Sequence, residues 1–357
     1  MISAASSIDA LQEALRAHPQ VLPRGAGTKP ALSTPSGLTA SLDVSGLSGF
    51  VDYDPAELTF TARAGTRVRD VDVVLSAERQ YLPFDPPWPA ATMGGIVAAG
   101  TSGPGSYRYG GVRDFIIGIR FLDAGGRLVG GGGRVVKNAA GFDLPKLMVG
   151  SLGRLGVLVE LTFKVFPRPE AWATLRAEHP DLPTALEQVR RLARGPIELD
   201  ALELHPSGTL WLRLSGPART LPARCERLAR AVGGNAELLD EEAADRGWQE
   251  RREFAWVPAG ADLVKAAVTP SRVPALDAEL ARAGAARRYS RAATLAWIAW
   301  PEPRPVTGLD LVLRRLGLTG LALTGRPSSG LLGARTGGAF AQRVRRGLDP
   351  HNRFPGV

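Results

Sequence analysis

Glycine is concentrated in one part of this chain, and the concentration limits what the chain can fold into. Of its 42 glycines, 18 lie between Gly94 and Gly156. Residues without a Cβ occur at such density either in disordered segments or where the backbone closely approaches another group. Here the glycines alternate with Val, Ile, Leu and Phe, a pattern that favours order. The sequence therefore predicts a folded region built for close backbone contact.

Length and composition indicate an ordinary soluble protein. The 357 residues predict two or three domains, and 44% hydrophobic with 22% charged residues is typical of globular chains. Glycine, proline or charge interrupts every apolar run before it is long enough to cross a membrane. The first residues lack the basic and apolar regions of a signal peptide, so we expect a cytoplasmic protein.

The balance of charge is basic, with a formal net charge of +9, and only five of the 44 basic residues are lysines. Such a balance suits nucleic acid, an anionic membrane surface, an acidic partner or anionic ligands. The arginines are dispersed and no nucleic-acid-binding motif accompanies them. We therefore expect a solvated, arginine-rich surface and no nucleic-acid partner.

Cysteine and histidine usage argues against a metal centre. Cys225 is the single cysteine, so it cannot form an internal disulfide or a thiolate cluster, and we expect it to be a small buried residue. His18, His179, His205 and His351 show no metal-ligand spacing. The sequence predicts no metal site, and it predicts that His179 and His205 are surface or hydrogen-bonded residues.

The first half of the chain shows alternating strand and helix patterns. An amphipathic helix opens it, with capping-box spacing at Ser6 and Asp9 and a shared apolar face. Helical spacing returns after Val68, and a hairpin signal occupies residues 123–126. Strands are predicted at 20–22, 58–64, 115–122, 127–129 and 157–166.

Pro167-Arg168-Pro169 marks the predicted domain boundary, because six of the seven tryptophans lie beyond residue 170. Strands and helices of similar length then alternate twice, which predicts an antiparallel sheet covered by helices, an α+β module. The predicted strands are 197–204, 210–214, 262–268 and 294–300, and the predicted helices are 183–193, 219–232, 271–283 and 306–316.

Three glycine-rich segments carry the chemistry. The first, residues 23–29, can form a turn whose successive N–H groups bind an anion, although a plain turn fits it equally well. The second, residues 85–103, is small at nearly every position, as suits contact with an extended ligand or a tightly packed core helix. The third, residues 150–157, precedes a strand, whereas a dinucleotide-binding Gly-x-Gly-x-x-Gly follows one. A nicotinamide-dinucleotide site is therefore not expected.

In this order and spacing, the three segments resemble the FAD-binding (PCMH-type, vanillyl-alcohol-oxidase) flavoprotein family. Residues 109–114 and 136–147 are similar, more particularly, to the small FAD-binding subunit of bacterial glycolate oxidase. The resemblance implies a PCMH-type FAD-binding domain of two α/β subdomains over residues 1–166. It also implies an antiparallel-sheet cap over 171–324, and a tail over 325–357 that returns to the FAD domain. The family's usual Asn before the last Pro is missing from this tail.

Carried over residue by residue, the resemblance implies non-covalent FAD, since the three segments contain no histidine. Arg24, Gly25, Ala26, Gly27 and Thr28 would hold the pyrophosphate, and Thr92, Met93, Gly94 and Gly95 the ribityl and phosphate groups. Ser102, Gly103 and Tyr109 would lie near the isoalloxazine, and Gly150, Gly153, Gly156 and Val157 near the adenosine. Arg154 departs from the small hydroxyl residue that is usual at its position.

The resemblance implies a role in oxidising glycolate, a 2-hydroxy acid. The partners would be a larger FAD-binding catalytic subunit and an iron–sulfur subunit, in the cytoplasm or at the inner membrane through that complex. Nothing in the cap nominates a catalytic base, so the chain is expected to pass electrons rather than oxidise substrate alone. The alternatives are a stand-alone FAD-dependent dehydrogenase or oxidase of a small hydroxy acid, and a basic scaffold that has lost its flavin.

Overall fold

The structure is a computed structural model that describes residues 5–35, 37–133, 142–325, 330–335 and 337–356. Residues 136–141 of the motif that resembles the glycolate oxidase subunit lie outside the described residues. The chain divides into two compact units. Unit 1 contains the described residues of Met1–Ser102, Gly110–Arg168 and Thr336–Val357, and unit 2 those of Gly103–Tyr109 and Pro169–Arg335.

Helices and strands are numbered in order along the whole chain. Unit 1 contains α1 (Ile8–Ala17), β1 (Val21–Arg24), α2 (Pro30–Ser33), β2 (Ala40–Asp43), β3 (Phe50–Asp54), β4 (Thr59–Arg63), α3 (Val68–Ala77), β5 (Gln80–Tyr81), α4 (Met93–Ala99), α6 (Val112–Phe115), β6 (Ile116–Leu122), β7 (Leu128–Gly132), α7 (Leu144–Met148), β8 (Val157–Lys164), β9 (Phe166–Pro167) and α13 (Gly338–Leu348).

Unit 2 contains α5 (Ser106–Tyr109), β10 (Ala171–Glu178), α8 (Leu182–Arg194), β11 (Ala201–Leu204), β12 (Thr209–Gly216), a 3₁₀ turn (Ala218–Thr220), α9 (Leu221–Val232), β13 (Asn235–Leu238), α10 (Glu241–Glu253), β14 (Asp262–Ala267), α11 (Val273–Arg282), β15 (Ala286–Ser290), β16 (Leu295–Trp300), α12 (Thr307–Arg315), β17 (Thr319–Ala322) and β18 (Leu331–Gly333).

Unit 1 is built from two main sheets. In one, β1 and β2 are parallel, with Val21 opposite Ala40. In the other, the antiparallel strands lie in the order β3-β4-β8-β6-β7. The hairpin predicted at 123–126 is present, and Asp123 Oδ1 accepts hydrogen bonds from the N–H groups of Gly125 and Arg127 at 2.9 Å. This arrangement confirms the predicted pair of α/β subdomains.

A buried apolar cluster joins α1, both main sheets of unit 1 and the end of the chain. It contains Leu11, Leu42, Val157 and Val159, and Phe354 from the C-terminal residues, which is fully buried. Asp349 holds this end in place, because its carboxylate accepts hydrogen bonds from the N–H groups of Arg353 and Phe354. The described residues after 336 are therefore a structural part of unit 1.

The amphipathic helix at the start is confirmed, but its capping prediction is wrong by one residue. Ser7, not Ser6, is the N-cap, and its hydroxyl oxygen accepts from the N–H of Ala10 at 3.2 Å. A cap bonds to the N–H three residues on, so Ser7 serves the helix that starts at Ile8.

Unit 2 is an antiparallel sheet with helices, as predicted. Over the described residues its strand order is β13-β10-β12-β11-β15-β16-β14-β17-β18. On β12, Leu210, Leu212 and Leu214 are fully buried and alternate with the half-buried Trp211 and Arg213. The sheet is wider than the sequence indicates, because β10, β13, β15, β17 and β18 were not predicted.

Helix α10 covers part of the face that carries Trp211. A Cβ atom at Gly247 would collide with the Trp211 ring, and the indole N–H of Trp248 donates to Thr174 Oγ1 at 2.8 Å. The helix is half-buried and strongly polar, and Gly247 is its one fully buried residue, so it shows no apolar stripe from which it could have been predicted.

Candidate functional site

The three glycine-rich segments come together in unit 1, where they line one cleft. The cleft is lined by Pro23, Gly25, Ala26, Gly27, Thr28, Lys29, Leu32, Ser33, Val44, Ala64, Thr92, Gly94, Gly95, Ala98, Ala99, Leu152, Gly153, Gly156 and Leu158. Segments that are far apart in the sequence thus form one continuous wall of mostly small residues.

The loop that follows β1 presents unpaired backbone donors to this cleft. Gly27 has a φ of +71°, a left-handed conformation that glycine adopts without strain. Within the described part of the chain, the N–H groups of Gly25, Ala26, Gly27 and Thr28 donate to no protein acceptor. Four successive N–H groups without a partner leave donors available to an anion, which a plain hydrogen-bonded turn would not, and residues 25–28 are called the nest below.

Lys29 places a positive charge beside the nest. Its side chain is only 6% exposed, although ammonium groups are rarely buried to this extent. The ammonium Nζ lies 3.2 Å from Thr28 Oγ1 and 5.0 Å from the centroid of the Trp88 ring. The cation–π contact stabilises the ammonium where it is largely shielded from water. The positive charge adds to the attraction of the nest for an anion.

The second segment is both a core helix and a wall of the cleft, so the two interpretations of it are compatible. Thr92 caps α4 by accepting from the N–H of Gly95 at 3.1 Å. The N–H of Gly94 donates to the carbonyl oxygen of Ala64 at 2.8 Å. A Cβ atom at position 94 would lie 2.9 Å from that same oxygen, so glycine permits the close contact.

The third segment attaches to the C-terminal end of α4. The N–H of Gly150 donates to Val97 O at 3.0 Å, and the N–H of Leu152 donates to Ala98 O at 2.9 Å. Gly153 has a φ of +71°, and its Cβ position faces Pro23 at 3.4 Å. These contacts bring the residues before β8 against the start of the first segment.

The predicted cofactor residues divide into two groups. Gly25, Ala26, Gly27, Thr28, Thr92, Gly94, Gly95, Gly153 and Gly156 line the cleft. The others are Arg24, Met93, Ser102, Gly103, Tyr109, Gly150 and Val157, which do not line it. Met93 and Val157 are fully buried in the protein, and Ser102 Oγ accepts from the N–H of Val112 at 2.9 Å. The roles of both groups in binding the cofactor stay predictions.

Gly103 and Tyr109 belong to unit 2 rather than unit 1. The hydroxyl of Tyr109 lies 3.3 Å from Asp200 Oδ1, which also accepts from Arg108 Nη1 at 2.8 Å. The Asp200 side chain is 1% exposed. The short helix α5 is thus fixed to the strand region around β11 by a buried carboxylate.

The cleft fits FAD. Its nest and the Lys29 ammonium suit a pyrophosphate, and its glycine-lined walls accept an extended ligand at close range. The glycines at 25 and 94 could not carry a side chain without collision with Thr92 or Ala64. The residues present therefore match what a dinucleotide with a pyrophosphate requires.

Unit 2 holds a buried polar cluster that sequence analysis missed. Glu203 lies within a fully buried strand, and its Oε2 accepts from the hydroxyl of Ser290. Burial raises the pKa of Glu203 to about 7, partly offset by that hydrogen bond. Burial, with the nearby Arg291 charge, lowers the pKa of Lys265 to about 8. The sequence signal for this buried group was Glu203 itself, a charged residue in the otherwise apolar run 201–204.

The isolated histidines and the cysteine carry no site. His205 is exposed and its Nδ1 lies 2.7 Å from Ser207 Oγ, as predicted. His179 is buried and its Nε2 has no partner among the described residues, so the prediction of a surface or hydrogen-bonded residue is wrong for it. Burial lowers the pKa of His179, which favours the neutral ring. Cys225 is buried, as expected.

The described residues contain no group of three or more His, Cys, Asp or Glu side chains placed to hold a metal ion. Among the helices of the described segments, none is long and apolar enough to cross a membrane.

Known proteins similar to this chain share an FAD-binding domain. A family model described as an FAD binding domain matches residues 2–131. The Escherichia coli K12 protein named glycolate oxidase subunit GlcE is 38% identical over 249 residues, which cover 69% of this chain and 67% of that one. The Bacillus subtilis glycolate oxidase subunit GlcD is 32% identical over 53% of this chain, but only 41% of its own length is covered.

A D-lactate dehydrogenase from Archaeoglobus fulgidus is 31% identical over 44% of this chain and 38% of its own length. The fold is shared with a solved alkyldihydroxyacetonephosphate synthase, with a TM-score of 0.71 and 14% identity over 98% of this chain and 74% of that one. The matching domain establishes FAD as the cofactor. The chain therefore belongs to the family of FAD-binding oxidoreductases that contains the glycolate oxidase subunits and the D-lactate dehydrogenases.

Proposed function

We propose that this chain is the FAD-binding subunit of a glycolate oxidase or dehydrogenase complex. It takes part in oxidising glycolate to glyoxylate and passes the electrons to partner subunits. These are a larger FAD-binding catalytic subunit and an iron–sulfur subunit. The observation that carries the proposal is the 38% identity to the E. coli glycolate oxidase subunit, combined with a cleft that fits FAD.

Within this proposal, each wall of the cleft has its own part in holding the cofactor. The N–H groups of residues 25–28 and the Lys29 ammonium bind the pyrophosphate. Thr92, Gly94 and Gly95 lie along the ribityl and phosphate groups, and Gly153 and Gly156 along the adenosine. Bound FAD supplies a ring that accepts two electrons and releases them singly or together. The protein's contribution is to fix the position of that ring and to exclude water from the cleft.

The domain roles follow from the same proposal. Residues 1–166 form the FAD-binding domain and residues 171–324 the cap. Of the tail at 325–357, β18 pairs with β17 in the sheet of unit 2, and the described residues after 336 complete the FAD-binding domain. The packing of Phe354 in the core of unit 1 supports the role of the tail. The placement of residues 103–109 in unit 2 adds one element to the cap that lies early in the sequence.

A second candidate function is a stand-alone dehydrogenase of a small 2-hydroxy acid. Oxidation of such a substrate needs a base for the hydroxyl proton and a cation for the carboxylate. Glu203 and Lys265, two separate buried groups of unit 2 with pKa values of about 7 and about 8, are titratable groups of this kind. The similarity to D-lactate dehydrogenases supports the same reaction class.

Stopped-flow mixing separates the two functions. The purified, FAD-loaded chain is mixed anaerobically with glycolate or D-lactate, alone and after co-purification with tagged partner subunits. We expect slow or no flavin bleaching by the isolated chain and rapid bleaching in the complex. Rapid bleaching by the isolated chain that Glu203→Gln abolishes, and that the exposed control Glu170→Gln preserves, would establish the second function.

The FAD is expected to be held non-covalently. Acid precipitation of the holoprotein should then release yellow flavin into the supernatant. Colour that stays in the washed pellet would contradict this expectation.

A further inference from the structure

Arg154 occupies an unusual position beside the cleft. It follows Gly153, a cleft residue, and its Nη2 lies 3.4 Å from the carbonyl oxygen of Leu32, another cleft residue. Its Nε and Nη1 atoms are buried and have no hydrogen-bond partner among the described residues. A buried guanidinium donor without an acceptor costs free energy, so this arrangement calls for a further partner.

The neighbour of Arg154 has the same charge. Arg345 of α13 has a buried Nε without a partner in the described part of the chain, and its Nη2 donates to Phe354 O at 2.6 Å. Burial, together with the charge of Arg345, lowers the pKa of Arg154 to about 10. Two guanidinium groups held together in this way repel each other, and an anion between them would relieve the repulsion.

FAD supplies an anion of the required kind. Its charge at neutral pH is concentrated on the pyrophosphate, which the nest at residues 25–28 is built to receive. Arg154 follows Gly153 in the sequence and donates to Leu32 O, and both of these neighbours line the same cleft. The guanidinium of Arg154 does not itself line the cleft, so its contact with a bound pyrophosphate requires a change of side-chain rotamer when FAD binds.

We propose that Arg154, supported by Arg345 from the C-terminal helix, binds the pyrophosphate of FAD on its adenosine side. The C-terminal helix is then part of the cofactor site and not only a structural cover. The inference depends on FAD binding by this chain but not on the identity of the substrate or of the partner subunits.

The test is the affinity of the apoprotein for three ligands, measured by titration calorimetry: FAD, ADP and FMN. We expect Arg154→Thr and Arg345→Gln to weaken FAD and ADP at least tenfold, since each removes a charge-assisted contact or its support. FMN lacks the adenosine-side phosphate, so its affinity should change little. Arg154→Lys keeps the charge and should retain most of the affinity. Arg343→Gln removes an exposed charge from the same helix and should have no effect.

A second measurement covers the case in which a variant folds poorly. The ³¹P spectrum of bound FAD should show one pyrophosphate resonance that moves in Arg345→Gln and stays in Arg343→Gln. Unchanged FAD affinity in Arg154→Thr, or an equal loss for FMN and ADP, would overturn the proposal. It would also fail if inorganic phosphate stabilised the apoprotein through Arg154 while FAD affinity did not depend on that residue. None of these measurements uses glycolate, so a failure of this proposal would not be a failure of the proposed function.

Discussion

The amide of Gly94 donates to the carbonyl oxygen of Ala64 at 2.8 Å, which joins the first turn of α4 to the residue after β4. This contact leaves no room for a side chain, because a Cβ atom at position 94 would lie 2.9 Å from the same oxygen. The glycine therefore serves the packing of unit 1 as well as the wall of the cleft.

Gly94→Ala is accordingly expected to lower both stability and FAD content. The backbone of Ala64 cannot rotate away as a side chain could, so we expect a cost of about 1–3 kcal/mol in the free energy of unfolding. Thermal unfolding of the apoprotein measures it. Gly347→Ala, in open space on α13, is the control and should be neutral or slightly stabilising.

Gly27 should behave differently from Gly94. Its Cβ position is closest to the flexible guanidinium end of Arg24, and its φ is +71°. Gly27→Val strains a loop that the core of unit 1 does not depend on, so we expect soluble protein with little bound flavin. The ratio of flavin absorbance to protein absorbance after purification measures this. Normal flavin content in Gly27→Val would show that the loop does not hold the cofactor.

The glycine segments show what sequence can and cannot predict. Their small residues indicate close contact, and the order of segment and strand argues against a nicotinamide-dinucleotide fold. The wall of the cleft could therefore be predicted from the sequence alone. The attachment of α5 to Asp200 could not, because Arg108 and Asp200 are 92 residues apart and nothing local signals their ion pair. The same holds for α10, whose place depends on Trp211 fitting against Gly247.

Lys29→Met tests the charge beside the nest. The substitution keeps the length of the side chain but removes a buried ammonium, so we expect FAD affinity to fall tenfold or more while the apoprotein stays folded. Lys146→Met is the matched control, because that ammonium pairs with Asp143 at 2.7 Å on the surface of unit 1. Equal FAD dissociation constants for the two variants would contradict a role for Lys29 in binding the cofactor.

Arg108→Ala tests the attachment of α5 in unit 2. It removes the cation from a carboxylate that is 1% exposed, and we expect a loss of about 3 kcal/mol, at the low end for buried pairs because Arg108 is 30% exposed. Arg246→Ala breaks an exposed pair with Glu242 and should cost under about 1 kcal/mol. Denaturant unfolding compares the two.

Tyr109→Phe should leave the flavin spectrum unchanged if Tyr109 only supports α5, and should shift it if Tyr109 lies near the isoalloxazine.

Glu203 is expected to make the stability of the protein depend on pH. The charged groups around it are Arg251 of α10 and Arg288 of β15, which lower its pKa, but burial outweighs them and raises that pKa to about 7. A carboxyl whose pKa is higher in the folded than in the unfolded chain holds its proton more tightly when folded. Between about pH 4.5 and 7 the folded state therefore binds more protons, and its stability falls as pH rises.

Above pH 7 the ionised Glu203 lowers the free energy of unfolding by about 3 kcal/mol. This value follows from the rise of its pKa from 4.5 to about 7 on folding. Glu203→Gln removes the titrating group and keeps the size of the side chain. Subtracting its unfolding free energy from that of the wild type at each pH should give a difference that becomes less favourable to the wild type from pH 5 to pH 7. Glu170→Gln, an exposed control, should give a flat difference. A flat difference for Glu203→Gln would mean that Glu203 is ionised throughout this range, with the nearby arginines outweighing its burial.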